Sequence, residues 1–98
     1  MSVLKKSAYA GTLESSDAYI QVSPIEEDDI KIVLESSVKE IYGDAIEELV
    51  RETIQDMNVN NVLVNVQDKG ALDFVIKARL QAAILRACEM EQPEWEVL

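Results

Sequence analysis

The order of hydrophobic periods in this 98-residue chain predicts an α+β fold of two layers: a small mixed β-sheet, hairpin plus βαβ, covered on one face by two helices. Three observations carry that expectation. Two alternating apolar runs, residues 8–13 and 18–23, flank a short polar stretch and read as a β-hairpin. An unbroken three-and-four spacing of apolar residues from Val38 to Met57 reads as one long amphipathic helix. An alternating run before that helix, and a further alternating run, a turn and a second three-and-four stripe after it, give the order β-β-β-α-β-α. A right-handed crossover should carry the first helix from the third strand to the fourth, leaving both helices on the same face.

Taken in order, residues 1–7 are expected to be a loose end, as are residues 91–98, within a single domain spanning 1–98. In the hairpin, Ile20 and Val22 face the core, and Pro24 closes the second arm because it has no N–H to give a ladder. Ile25-Glu26-Glu27-Asp28-Asp29 reads as a solvated acidic turn. It lacks the glycine and the ligand spacing of a calcium loop, so no metal site is expected there. Ile30, Ile32 and Leu34 alternate with polar neighbours as a half-buried strand. Ser37-Val38-Lys39-Glu40 then matches a capping box.

The helix that follows should run about 20 residues, on the order of 30 Å. Its apolar stripe is Val38, Ile41, Tyr42, Ala45, Ile46, Leu49, Val50, Thr53, Ile54 and Met57, with Glu47, Glu48, Glu52 and Asp56 on the wet face. Gly43 within it costs up to about 1 kcal/mol relative to alanine and suggests close packing at that point. Asn58-Val59-Asn60-Asn61 is a stop signal. Val62, Val64 and Val66 point inward from the last strand. Asp68 is a candidate N-cap for the second helix, whose stripe is Leu72, Val75, Ile76, Leu80, Ala83, Ile84 and Ala87. Pro93 bars further helix, and Trp95 lies in the tail.

Composition narrows the chemistry. Nine Lys plus Arg against nineteen Asp plus Glu give a net charge of −10, which disfavours nucleic acid and anionic membrane surfaces as partners. It favours basic patches on other proteins. There is no histidine and one cysteine, Cys88. That removes Cys/His metal sites, Ser-His-Asp triads and Cys-His pairs together, and one thiol closes no internal disulfide. No apolar run approaches the roughly 18 residues that span a bilayer, and a cytoplasmic location is the expectation. Cys88 has no base near it in sequence and reads as a small core residue.

What folding does not require is Gly11-Thr12-Leu13-Glu14-Ser15-Ser16-Asp17. Ser and Asp favour turns because their short oxygens bond nearby backbone. Ser15 and Ser16 therefore belong at an exposed tip, where a large reagent reaches a hydroxyl. A nucleophilic serine needs a base and oxyanion donors, and nothing here supplies the base. A serine that merely bears a group needs neither. On these residues alone the two serines are chemically equivalent.

This segment resembles the prosthetic-group segment of the citrate lyase acyl carrier protein (gamma subunit) family. The resemblance continues through Tyr42-Gly43-Asp44-Ala45-Ile46, Asp68-Lys69-Gly70-Ala71-Leu72-Asp73 and Ala78-Arg79-Leu80, over most of the chain. The malonate decarboxylase carrier is a more distant relative. Ordinary acyl carrier proteins, four-helix bundles with Asp-Ser-Leu at a helix start, are not matched. The family pattern Gly-Thr-x-Glu-Ser-x-Asp implies Ser15 as the attachment point of a phosphoribosyl-dephospho-CoA group through a phosphodiester. Gly11, Glu14 and Asp17 would then form and mark the attachment turn for the prosthetic-group transferase. The resemblance further implies a non-catalytic carrier. The alpha subunit would exchange acetyl for citryl on the thiol of the group, and the beta subunit would cleave the citryl carrier to oxaloacetate and acetyl carrier. The alternative is an acidic protein-interaction module without a prosthetic group, its hairpin only a turn.

Overall fold

The computed structural model describes residues 3–89. It contains β1 (Ala8–Gly11), β2 (Ala18–Pro24), β3 (Ile30–Ser36), α1 (Lys39–Asp56), β4 (Val62–Asp68) and α2 (Asp73–Ala87). The four strands form one sheet in the order β1-β2-β4-β3. β1 and β2 are the antiparallel hairpin, β2 and β4 are antiparallel, and β3 and β4 are parallel, joined through α1. The mixed sheet of hairpin plus βαβ is thus as the sequence predicts, with β4 inserted between the hairpin and β3. Val64 pairs with Val22 on one side and Ile32 on the other, which sets β4 at the centre.

Period-two alternation does the sorting. Ala18, Ile20 and Val22 of β2, Leu34 of β3, and Val62, Val64 and Val66 of β4 enter one buried cluster. Ile46, Val50 and Ile54 of α1 and Ile76, Leu80 and Ile84 of α2 meet them there, both helices lying on the same face. Each such side chain contributes roughly 1.5–3 kcal/mol by leaving water. The other face carries Tyr9, Tyr19, Val33, Asn65 and Gln67, with the two tyrosine rings 5.5 Å apart. α1 stops in a Schellman motif: Val59 N–H donates to Ile54 C=O, Asn58 N–H to Gln55 C=O, and Asn58 takes the left-handed conformation (φ 59°).

Four expectations change. The amino-terminal segment is tied down: Leu4 is buried, and the Lys5 and Lys6 amides donate to the Ala87 carbonyl at 2.8 and 3.3 Å. A helix ends with unpaired carbonyls, and this segment supplies donors for one of them. The capping box at Ser37 does not form. Ser36, one residue earlier, accepts from Val38 N–H at 3.1 Å, and α1 begins without a side-chain cap. Asp68 does not cap α2, whose N-cap position is Leu72; its carboxylate closes the turn before the helix by accepting from Ala71 N–H at 2.9 Å. Finally, Ile41, Tyr42 and Ala45 of the α1 stripe and Leu72 of the α2 stripe are exposed, while Gly43 is buried with Leu34 near it. Periodicity shows which residues share a helix face, but it does not show how wide the support beneath is. β3 is an edge strand, so no further strand among the described residues supports that side of the first turns of α1. Trp95 and residues 91–98 lie outside the described residues.

Cys88 is buried at the end of α2, and burial pushes its thiol pKa up. The thiolate is the reactive form. Cys88 is therefore expected to resist alkylation by iodoacetamide in the native protein and to react on denaturation. Rapid labelling of the folded chain, followed by intact mass, would contradict this.

Candidate functional site

The turn between β1 and β2 is held by one carboxylate. Asp17 Oδ1 accepts from its neighbour Ala18 N–H at 2.7 Å, and Oδ2 accepts from the Thr12 hydroxyl at 2.7 Å. Arg79, near the middle of α2, grips the same carboxylate with two nitrogens: Nε to Oδ1 at 3.0 Å and Nη2 to Oδ2 at 3.2 Å. This fork-on-carboxylate geometry is the strongest pairing available to these groups. The Thr12 hydroxyl oxygen in turn accepts from Glu14 N–H at 3.2 Å. Asp17 thus joins both ends of the turn to the helix behind it.

Within that frame, Asp17 N–H donates to Glu14 C=O at 3.2 Å, closing a four-residue turn with Ser15 and Ser16 at its centre. Ser16 has φ 66°, the left-handed region that such a turn requires at its third position. Its amide donates to Lys69 C=O at 2.8 Å, and Lys69 N–H donates to Asp17 C=O at 2.9 Å. The turn is therefore laced to the β4–α2 loop. Ser15 is exposed, and its hydroxyl has no hydrogen-bond partner among the described residues. The structure separates the two serines in backbone terms. Ser16 is the residue that makes the turn, and Ser15 is the one the turn displays.

Gly11 has to be glycine. It sits at φ 95°, and a Cβ there would lie 1.8 Å from the Ala18 carbonyl oxygen and 3.3 Å from Arg79 Cδ. The missing side chain is what lets β1, β2 and the arginine meet. Glu14 is exposed, its carbonyl used in the turn and its carboxylate unengaged among the described residues. Of the residues singled out from the sequence, Gly11, Ser15 and Asp17 come together with Glu14 in one turn. Arg79 and Lys69 join them and were not singled out as site residues. Arg79 was legible only as part of Ala78-Arg79-Leu80, because a partner 62 residues away leaves no local periodic signal.

A second knot lies beside the first. Asp68 is buried, and its carboxylate accepts from the Ser36 hydroxyl at 2.7 Å as well as from Ala71 N–H; its carbonyl accepts from Ser37 N–H at 3.4 Å. Removing that carboxylate would leave a half-buried hydroxyl and amide unpaired, at up to about 1–3 kcal/mol each. The β1–β2 turn, the β4–α2 loop and the β3–α1 loop are thereby stitched together along one end of the sheet.

A domain of this kind, presenting an exposed serine on a braced turn, matches a family of acyl carriers. The family model described as the malonate decarboxylase delta subunit, an acyl carrier protein, matches residues 5–87. The citrate lyase acyl carrier protein of Vibrio cholerae serotype O1 is 47% identical over 91 residues, covering 93% of each chain. The citrate lyase acyl carrier protein 2 of Salmonella paratyphi A is 50% identical over 93 residues, covering 95% of this chain and 96% of its own. That of Clostridium perfringens is 45% identical over 92 residues, covering 94% and 91%. The chain belongs to the citrate lyase acyl carrier protein family. Its fold also matches a chain in the crystal structure of a Pseudomonas malonate decarboxylase hetero-tetramer in complex with malonate, with a TM-score of 0.71 at 17% identity, over 89% of this chain and 92% of that one.

Two outcomes follow from the turn. Gly11→Ala should lower stability by about 2 kcal/mol or more, since a left-handed non-glycine residue is strained even before its clash with Ala18 is counted; an unchanged melting temperature would contradict the geometry. The Arg79, Thr12 and Ala18 bonds hold the Asp17 pKa down from 3.8 to about 2. A depressed carboxylate pKa stabilises above the unfolded value and is lost as pH falls through the folded one. Protection of the Ser16 and Ala18 amides against hydrogen exchange should thus persist at pH 4 and fade toward about pH 2, a window absent in Asp17→Asn.

Proposed function

We propose that this chain carries acyl groups on a phosphoribosyl-dephospho-CoA arm joined through a phosphodiester to Ser15, as the carrier subunit of a citrate lyase complex. Both central hydroxyls of the turn are exposed and without a partner among the described residues, and what favours Ser15 is that the Ser16 backbone is committed to the turn, at φ 66° with its amide bonded to Lys69 C=O. A covalent group needs no enclosing cradle, only open space at the linking oxygen, and the exposed turn offers it. When attached, the arm supplies a terminal thiol on which acetyl and citryl travel as thioesters during cleavage of citrate to oxaloacetate and acetate. The protein's own contribution is to anchor and present: Asp17 and Arg79 fix the turn, Ser16 makes it, and Ser15 provides the linking atom.

The carrier is non-catalytic in this reading. Tethering keeps the reactive end at high effective concentration near successive partner sites, which is what a carrier adds. The catalytic work falls to the alpha and beta subunits, and attachment to a separate prosthetic-group transferase. Gly11, Glu14 and Asp17 mark the turn for that transferase: Gly11 and Asp17 by its shape, Glu14 by a free carboxylate. Glu14 cannot pair with a phosphodiester, both being negative. No described helix is long and apolar enough to cross a membrane, and we place the complex in the cytoplasm.

Substituting the two serines tests this directly. With the transferase co-expressed in a citrate-fermenting host, intact mass should show one adduct of dephospho-CoA type on the wild type and none on Ser15→Ala. Ser16→Gly should still be modified and should be as stable as the wild type or up to about 1 kcal/mol more so, because glycine tolerates the left-handed turn position. Ser15→Ala, on an exposed site, should melt within about 0.5 kcal/mol of wild type yet fail to support citrate cleavage. An adduct mapped to Ser16, or citrate turnover by Ser15→Ala, would refute the assignment.

A further inference from the structure

Of the eight large apolar side chains that stand exposed among the described residues, five lie at the end of the sheet that bears Ser15. Leu13 (57% exposed) is in the turn itself. Leu72 (64%) and Phe74 (69%) lie where the β4–α2 loop enters α2. Ile41 (76%) and Tyr42 (56%) lie on the first turn of α1. The topology brings them to one end: Gly11, Ser36 and Asp68 close strands β1, β3 and β4, and Ala18 opens β2, all at the same edge. The loops leaving that edge are the three tied together by Asp17 and Asp68. The apolar groups therefore stand on a fixed frame.

Nothing in the fold requires them to be apolar, since none is packed into the core. Exposed apolar residues gathered at one place mark an interaction surface, and Phe and Tyr are among the residues enriched at interfaces. Charge selects the occupant. Glu14, Glu40, Asp44 and Asp73 are exposed among these residues, against the two ammonium groups of Lys39 and Lys69. The chain as a whole carries −10. Such a surface is complementary to an apolar depression rimmed by Lys and Arg, and its own charge opposes a second copy of itself.

We infer that this apolar, acid-rimmed end of the sheet is the face that seats against the basic-rimmed mouth of the catalytic subunits. The inference rests on Ser15 being the attachment point. An arm anchored there delivers its far end into a partner's site only when the anchoring face stands at the mouth. The residues beside Ser15 are then the first to touch the partner. Leu13, Leu72 and Phe74 form the centre of the contact nearest the serine, Ile41 and Tyr42 its far side, and the carboxylates its outer ring. The open sheet face bearing Val33 takes no part.

The test uses the full-length carrier, loaded by its transferase and checked by intact mass, with the citrate lyase alpha and beta subunits as probes. Leu72→Ser and Phe74→Ser should each weaken association roughly tenfold, and Leu13→Ser likewise, as truncated interface anchors do. Melting should be unchanged in all three, because the side chains are exposed. Val33→Ser, an equally exposed apolar loss on the open face, should bind as wild type. The loading mass separates the two levels of the argument. Failure of Ser15 to be loaded overturns the attachment reading and this inference with it. Normal loading with undiminished association of the Leu72, Phe74 and Leu13 variants overturns this inference alone. Equal weakening by Val33→Ser would also overturn it, as would sedimentation showing that the carrier self-associates through the edge.

Discussion

The carboxylate of Asp17 is the contact on which the functional end of this molecule depends. It receives a hydroxyl from the start of the turn, an amide from the start of β2 and a guanidinium from α2. A seven-residue polar loop on its own would sample many conformations, and fixing each residue costs roughly 1–2 kcal/mol. Several bonds converging on one side chain offset much of that cost locally. The tie to α2 matters most, because it refers the turn to the buried core through a helix that also contributes Ile76, Leu80 and Ile84 to it.

The same helix closes the edge of the sheet. Arg86 Nη1 donates to the Tyr9 carbonyl at 2.7 Å, engaging a backbone group of edge strand β1. An open edge is a template for unwanted pairing, and covering it is one way proteins manage that hazard. At the same end of α2 the amino-terminal segment supplies the donors that the Ala87 carbonyl lacks. α2 is thus pinned near its middle by Asp17, along its length by the core and at its end by Lys5 and Lys6. A serine presented on this frame has a defined place relative to the rest of the protein.

A catalytic serine and a carrier serine place opposite demands on their surroundings. The first needs a base, oxyanion donors and exclusion of water. The second needs a fixed backbone and an uncluttered hydroxyl. The turn follows the second pattern: its hydrogen bonds are spent on backbone shape, and Ser15 is left out of them. Cys88, the single cysteine of the chain, is buried with its thiol pKa raised by that burial. The acids that bound the turn split the same way, Asp17 turned inward to Arg79 and Glu14 turned out to solvent.

The sequence by itself determined the elements and their sidedness. Alternation at Ile20, Val22, Val62, Val64 and Val66 has period two, and a strand has no other way to bury one row of side chains. The stripe from Ile46 to Met57 likewise specified α1, and Asn58 its end. The displayed turn was legible too, since Gly, Ser and Asp act on backbone within a few residues of themselves. Strand order, the burial of Asp68, the exposure of Ile41 and Tyr42, and the grip of Arg79 on Asp17 were decided only in three dimensions. Each depends on how separate parts of the chain come together: Ser36 with Asp68, Arg79 with Asp17, and β3 as the edge strand beside α1. Local patterns encode which face a residue prefers, whereas the partner waiting on that face is set by how the whole sheet closes.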